Sequence, residues 1–508
     1  HENVIQRDIR IADNQLLSVD NGGIKIVHKS SPIRYPSADL YNIQVLRNNL
    51  FDIGMRCSVA QGGRGIDLSG LLTGEIAGNV LNQIAAQGIN VVGARFAANQ
   101  PLVRIRIHHN QVRDTLIYKT DFGGIEFWGV GPAYVYNNIS INPVGMVAHR
   151  KVYHKNHAYY FDHGAKGTLF NNIGWSDSRD DAYRNIIGDH FMHEIRNRWN
   201  QAFHNTGLNF RTAQSHSSRH GSQQHYLANL YVDCRSGASH CTLEDAPEIA
   251  YARNIHAGDF VNVYSRWKGV TFRTVDGFRE HVEPFDNLIA RQFGWATDGI
   301  PIRDAAARDI RPNDTSAAID RGVKVFVPWS LYAPVGEWHF RLHPRDPNTV
   351  LGYDAYAQAF HRHHENMRMN GPVPENHLQG NGFTAKDYTI GPLEDWVPGT
   401  VSFDGEHHFT LPHATLTEDF TVERHDKEYD VDGSERKTVR MDTNNFLIEA
   451  VLRVEQGHGG GTIAGKMGPD AGYTLGLTDN GRLVMHLRTG GDDTTWPSTL
   501  QVNDGAWH

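Results

Sequence analysis

Along the first two thirds of the chain, apolar and polar residues alternate in short runs, as in Ile125-Glu126-Phe127-Trp128 and Tyr134-Val135-Tyr136. A period of two predicts short strands with one face turned to a core. Gly and Asn punctuate these runs, and one phrase returns many times: an apolar residue, one or two spacers, Asn, then another apolar residue. Its members centre on Asn49, Asn79, Asn110, Asn138, Asn172, Asn197, Asn229 and Asn254, successively 30, 31, 28, 34, 25, 32 and 25 residues apart. Steps of that size fit one coil of a solenoid made of short strands and turns, with irregular insertions on one side. An α-solenoid of similar period would need amphipathic helical stripes, and none is visible. Asn at a fixed turn tolerates left-handed backbone and can stack its amide on the Asn of the next coil.

The phrases DFGGIEFWGVGPAYVYNNIS and AYYFDHGAKGTLFNNIGW resemble coils of the pectate-lyase-like right-handed parallel β-helix superfamily, in particular its secreted glycan-active members. NDTSAAIDRGV, followed by APVGEWHF, is similar to the closing segment of such proteins, with Ala317 standing where that segment usually has Pro. The resemblance covers roughly residues 1–345 and is specific for fold rather than for substrate. It implies an all-β chain acting outside the cytoplasm, in the periplasm, at the cell surface or in the medium.

From Leu351 the pattern changes. YDAYAQAFHRHHENMRM reads as a helix or linker, and the Pro- and Gly-rich NGPVPENHLQGNGF follows it, so 346–398 is expected to be a linker or helical segment. In 399–508, the phrases VSFDGEHHFTLP, NNFLIEAVLRV, GYTLGLTDNGRLVMHLR and NDGAWH resemble a laminin-G or concanavalin A-like jelly-roll β-sandwich. That family continues past a pair like Trp507-His508, so the sandwich is expected to be incomplete. At the other end His1 has no apolar leader after it, which reads as a mature or trimmed start.

Bulk composition narrows the partners. A length of 508 residues calls for more than one unit, and 50 Gly with 21% charged residues suits turn-rich β structure. A net charge of −8 supplies no basic stripe for nucleic acid, and no apolar run is long enough to span a membrane. The three cysteines, Cys57, Cys234 and Cys241, build neither a disulfide framework nor a four-cysteine zinc site. Cys234 and Cys241 are close enough in sequence to bridge in an oxidising compartment, or they are isolated buried thiols. Oligomeric state is not legible.

Aligning coils on the Asn phrase indexes their faces. Ile125 to Asn138, Tyr159 to Asn172 and Ile66 to Asn79 are each 13 residues. Glu126 therefore falls beside Tyr160, Trp128 beside Asp162, and Asp67 in the Glu126 column. With Ile125 and Phe127 inward, strict alternation turns Glu126 and Trp128 outward. Adjacent coils are about 4.8 Å apart, so the Cα atoms of Glu126 and Asp162 should be on the order of 8 Å from each other. That separation suits the two carboxyl groups of a glycosidase, one a proton donor and the other a base or nucleophile.

Asp121, just before Gly123-Gly124, is a third acid candidate, and Trp128 and Tyr160 are candidate sugar-stacking platforms. The insertion VGMVAHRKVYHKNHAYYFDHG adds His149 and His163 as candidate catalytic bases and Arg150 and Lys151 as candidate substrate contacts. Asp67, His204 and Arg211 complete the candidate binding set. SDSRDD, with Asp177, Asp180 and Asp181, is oxygen-rich enough to hold calcium, though no cofactor is required. His193-Glu194 lacks a second His four residues after the first, so the zinc-protease pattern is absent.

Three classes fit these residues. A glycoside hydrolase acting on a polysaccharide is the leading reading. A polysaccharide lyase, removing the proton beside a uronate carboxylate with or without calcium, is the second. A non-catalytic glycan-binding or adhesion protein on the same scaffold is the third.

Overall fold

The computed structural model describes residues 6–27, 40–56, 62–93, 104–128, 133–145, 155–162, 167–177, 188–194, 200–216, 225–240, 250–258, 261–267, 270–282, 294–297, 299–323, 327, 342–343, 346–350, 367–370, 378–389, 400–410, 420–424, 427–431, 448 and 450–508. Nearly all regular structure among them is β.

Each coil of the N-terminal region gives one strand to each of three sheets, which hold twelve, nine and ten strands among the described residues. In one coil these strands are Phe122–Trp128, Ala133–Tyr136 and Ile139–Pro143. The next coil repeats them as Asn156–Asp162, Gly167–Phe170 and Ile173–Trp175. Pairing is parallel throughout the three sheets, except for the final antiparallel pair of the first sheet at Val270–Phe272. The region is thus a parallel β-solenoid, as the Asn period predicts.

Inward positions stack column upon column. Ile66, Ile89, Ile125, Tyr159 and Met192 form one column of the first sheet, and all are buried. Val45, Ile76, Ile107, Val135, Leu169 and Ala202 form the equivalent column of the second. These side chains make one continuous apolar core along the axis, so each coil needs its neighbours to bury its inner face.

The turn between the second and third sheets carries the Asn ladder. From Asn14 each ladder Asn donates through Nδ2 to Oδ1 of the next, through Asn48, Asn79, Asn110, Asn138, Asn172, Asn205 and Asn229 to Asn254, at 2.8–3.0 Å. The same oxygens also accept the backbone N–H of the preceding Asn. Two assignments are corrected: the rungs are Asn48 rather than Asn49 and Asn205 rather than Asn197. The left-handed residue is also one position earlier than expected, at Arg47, His109, Asn137, Asn171, His204, Ala228 and Arg253, with φ of 48–56°. The rung itself turns inward, where an amide can satisfy two coils at once.

After the coils, Ile302–Asp304 and Asp309–Pro312 form a hairpin, and Ile302 is buried against Leu208, Val232 and Ala257 of the third sheet. Val323 packs on Phe203 and Leu227. The Ser316-Ala317-Ala318 stretch therefore runs along the outside of the solenoid. Cys234 is buried, with its Sγ 3.6 Å from the Val232 carbonyl oxygen and 3.7 Å from that of Gly207, and Cys241 lies outside the described residues.

Further on, the sheets are antiparallel. Within 346–398, expected to be linker or helix, Asp346–Val350 pairs with Leu378–Asn381, which pairs in turn with His408–Thr410. The sequence 351–366 lies outside the described residues. Thr462–Met467, Ala471–Leu477, Arg482–Thr489 and Asp492–Gln501 make a four-stranded meander, compatible with a β-sandwich. Among the described residues no helix is long and apolar enough to cross a membrane.

Candidate functional site on the first sheet

Strict alternation would place residues three apart on opposite faces of a strand. The first sheet departs from it. Phe191 and Met192 are consecutive yet both belong to the core, as do Ala158 and Tyr159 one coil earlier. Two neighbouring inward residues bring their flanks to the same side, so His190 and His193 share the outer face, and so do His157 and Tyr160. Gly124-Ile125 repeats the device, setting Gly123 and Glu126 together, and the Gly123 N–H donates to Glu126 Oε2 at 3.0 Å. A Cβ on Gly123 would stand 2.8 Å from the Cβ of Tyr160, so only glycine lets the next coil approach here.

The register matches the common 13-residue spacing, with Glu126 opposite Tyr160 and Trp128 opposite Asp162. One outer column reads Lys25, Asp67, Asn90, Glu126, Tyr160, His193 and Ser215. Asp67 is in this column but two coils from Glu126, because the strand Ile89–Gly93 intervenes.

The expected open carboxylate ladder is corrected in one respect: its middle is covered. Glu126 and Tyr160 are each 3% exposed and Asp67 is 5% exposed. Side chains pointing away from the core are packed between those of neighbouring coils and are not spread on a free surface. Asp67 takes both oxygens to Arg64 at 3.1 Å and accepts from Asn90 Nδ2 at 2.7 Å. Asp67 and Arg64 thus form an ion pair that is largely covered. Arg64 also donates to Gln87 Oε1. A depression of about 230 Å³ borders this end of the column, lined in part by Lys25, Arg64 and Asp67.

Burial pushes the Glu126 carboxyl up to about 7, outweighing the lowering effects of the Gly123 N–H, Arg64 and Gln87, while nearby Asp121 pushes it further up. Asp121 is exposed and pairs with Lys155 at 3.4 Å. Asp162 and Trp128 are half-buried. Tyr160 is no open stacking platform, since its ring packs against His157 and His193 with centroids 4.7 and 5.1 Å away. Burial raises its hydroxyl pKa well above the usual value, followed by the charges of Asp162, Asp121 and Glu126.

Beyond Tyr160 lie three buried histidines. His157, His190 and His193 each present a ring nitrogen within 4.8 Å of those of the other two. Nδ1 of His157 and Nδ1 of His190 are 2.9 Å apart, and Asp189 Oδ2 is 3.4 Å from His190 Nδ1. Burial first, then neighbouring charges, hold the pKa values of His157 and His190 well below the ordinary histidine value, so both rings are neutral.

Arg211, expected to contact substrate, pairs with the buried Asp189. His204 is not brought to this face. It occupies the left-handed position before Asn205, and its Nε2 accepts the Val323 N–H at 3.1 Å. Asp177 is bonded to Arg308, to Asn142 Nδ2 at 2.7 Å, to Trp175 Nε1 at 3.2 Å and to Arg113 at 3.6 Å. His149, Arg150, Lys151, His163, Asp180 and Asp181 lie outside the described residues.

The histidine group is absent from the sequence-derived set because strict alternation separates His190 from His193. The signal that finds it is the apolar doublet between polar flanks in HFMH, HAYY and GGIE. Set against family models, curated proteins and solved structures, the chain matches none.

Proposed function

We propose that this chain is a polysaccharide-cleaving enzyme of the pectate-lyase-like β-helix kind, secreted or held at the cell surface, that hydrolyses glycosidic bonds with Glu126 as proton donor. The observation that carries the reading is the contrast between two carboxyl groups on adjacent coils. Glu126 is buried and titrates at about 7, so a large fraction is neutral at neutral pH, whereas Asp162 is half-exposed beside Trp128. Different surroundings are what divide two acids into a donor and an ionised partner. Trp128 offers its flat face to a sugar ring, and Asp121 stands at the edge of the same site. The C-terminal antiparallel region, read as a laminin-G-like sandwich, would tether the enzyme to glycan or cell surface.

A specific observation favours lyase chemistry as the second reading. Tyr160 lies opposite Glu126 and the three histidines follow on the same face, and His or Tyr is among the bases that can remove a proton beside a uronate carboxylate. The test is incubation of the full chain, Glu126→Gln and Asp162→Asn with neutral and acidic polysaccharides, scoring new reducing ends and ultraviolet absorbance. Hydrolysis gives reducing ends without absorbance, and both variants fall by about 10²–10⁴-fold. Absorbing, unsaturated ends select the lyase. Binding without cleavage by the intact chain selects an adhesin, and undiminished hydrolysis in both variants overturns the acid pair.

A further inference from the structure

We propose that His157, His190 and His193 form a three-histidine site for a divalent transition-metal ion, zinc by preference, on the outer face of the first sheet. The site stands on its own geometry and does not depend on which glycan chemistry the neighbouring acids perform.

A solenoid stacks like residues on successive coils, so three rings in contact need a reason beyond stacking. The second sheet shows what simple stacking gives. Tyr136, Phe170 and Phe203 lie on consecutive coils with interplanar angles of 6° and 7° and centroid steps of 4.9 and 5.1 Å. In such a ladder the first and third rings are about 10 Å apart, two coil spacings. The histidines are arranged differently: the three centroid separations are 4.8, 4.5 and 4.9 Å, which is a triangle. Two corners come from one strand, because the Phe191-Met192 doublet turns both flanking histidines outward, and the third comes from the coil before.

The donor count points the same way. In its neutral form each imidazole has one N–H group and one lone pair, and all three rings lie in a region where each residue is 0–7% exposed. His157 Nδ1 and His190 Nδ1 face each other at 2.9 Å, and His157 Nε2 is buried with no hydrogen-bond partner. An unpartnered buried ring nitrogen is costly, and a cation that accepts three lone pairs removes the cost. Zinc bound tetrahedrally to nitrogen at about 2.0–2.1 Å needs ligand atoms roughly 3.3 Å apart, and these lie within 4.8 Å before any metal draws them together.

The outer sphere fits as well. Ligating histidines commonly hand their second nitrogen to a carboxylate, and Asp189 is buried beside His190 Nδ1, itself held by Arg211. Three protein ligands leave a fourth position open, as in zinc sites that bind water or substrate. Tyr160 is in ring contact with two of the ligands, His157 and His193.

The test uses the full chain and the metal alone. After chelator treatment and dialysis, zinc and cobalt(II) are titrated separately, with metal content and the cobalt visible spectrum as readouts. About one zinc per chain is expected, with a cobalt spectrum of the intense, low-coordinate nitrogen-ligand type. His193→Gln should weaken zinc binding by more than about 100-fold, and Asp189→Asn by about 10–100-fold. If His193→Gln does not fold, the wild-type titration still decides. A folded wild-type chain that takes up no zinc or cobalt, or uptake unchanged in the folded variants, overturns the proposal.

Discussion

The backbone N–H of Gly123 donates to Glu126 Oε2 across 3.0 Å, within a single strand. This contact exists because Gly124 and Ile125 both turn inward. It steadies the carboxylate without making it cheap to ionise, since burial still carries the pKa of Glu126 to about 7 from 4.5. Between those values the unfolded chain has released its proton and the folded chain has not. Stability therefore falls as pH rises from about 4.5 through 7 and levels off above, by up to about 3 kcal/mol. Glu126→Gln should remove that slope. Urea midpoints of both proteins at pH 5 and pH 8 check it, and parallel shifts in the two would count against a neutral Glu126.

His256 acts with the opposite sign. It is 3% exposed, and burial lowers its pKa from 6.5 to about 4. The unfolded state binds the extra proton first on acidification, so stability is lost as pH falls from about 6.5 toward 4, by up to about 3 kcal/mol. His256→Gln should flatten the acid limb in a thermal melt series, and an unchanged limb would show that other groups govern it.

The Asn ladder predicts a gradient of cost along the solenoid. Asn138 is fully buried and donates to both Asn172 Oδ1 and Ile107 O while its own oxygen accepts twice from Asn110. Asn138→Ala should destabilise by about 2–4 kcal/mol because buried partners are left unpaired. Asn14 begins the ladder and is exposed, so Asn14→Ala should cost under about 1 kcal/mol. Equal losses in chemical denaturation would contradict the ladder as the element that ties coils together.

Close approach at Gly123 gives a fourth mutational prediction. Gly123→Ala puts a methyl 2.8 Å from the Tyr160 Cβ and 2.9 Å from the Ile125 carbonyl oxygen, neither of which is the end of a flexible side chain. A loss of about 1–3 kcal/mol is expected, read as a lowered melting temperature. A neutral substitution would mean that the two coils sit less tightly.

Much of the fold is legible in the sequence. The Asn phrase carries the coil count because each rung must be an amide, which no other side chain replaces without orphaning a neighbour. It misplaces rungs only where Asn residues crowd, as at Asn48-Asn49 and between Asn197 and Asn205. Inter-coil register follows from equal spacing to the rung, which is why Glu126 meets Tyr160. The strand Ile89–Gly93 escaped because Ile89 lies 21 residues before Asn110 and breaks the 13-residue rule.

Burial and convergence were less legible. Period-two reasoning says which way a side chain leaves the strand, not whether neighbours cover it, so Glu126 and Asp67 looked exposed. It also fails at doublets, where one extra inward residue moves His193 to the side of His190. His157 and His190 are 33 residues apart and meet only through coil stacking.

The central claim is that Glu126 delivers a proton to a glycosidic oxygen. Its most direct test is the pH dependence of kcat/KM on a cleaved polysaccharide for the full chain and for Glu126→Gln. The account predicts an alkaline limb with an apparent pKa near 7 in the wild-type chain, and in the variant a loss of about 10²–10⁴-fold with that limb gone. Wild-type-like rates with the same alkaline limb in Glu126→Gln would contradict it.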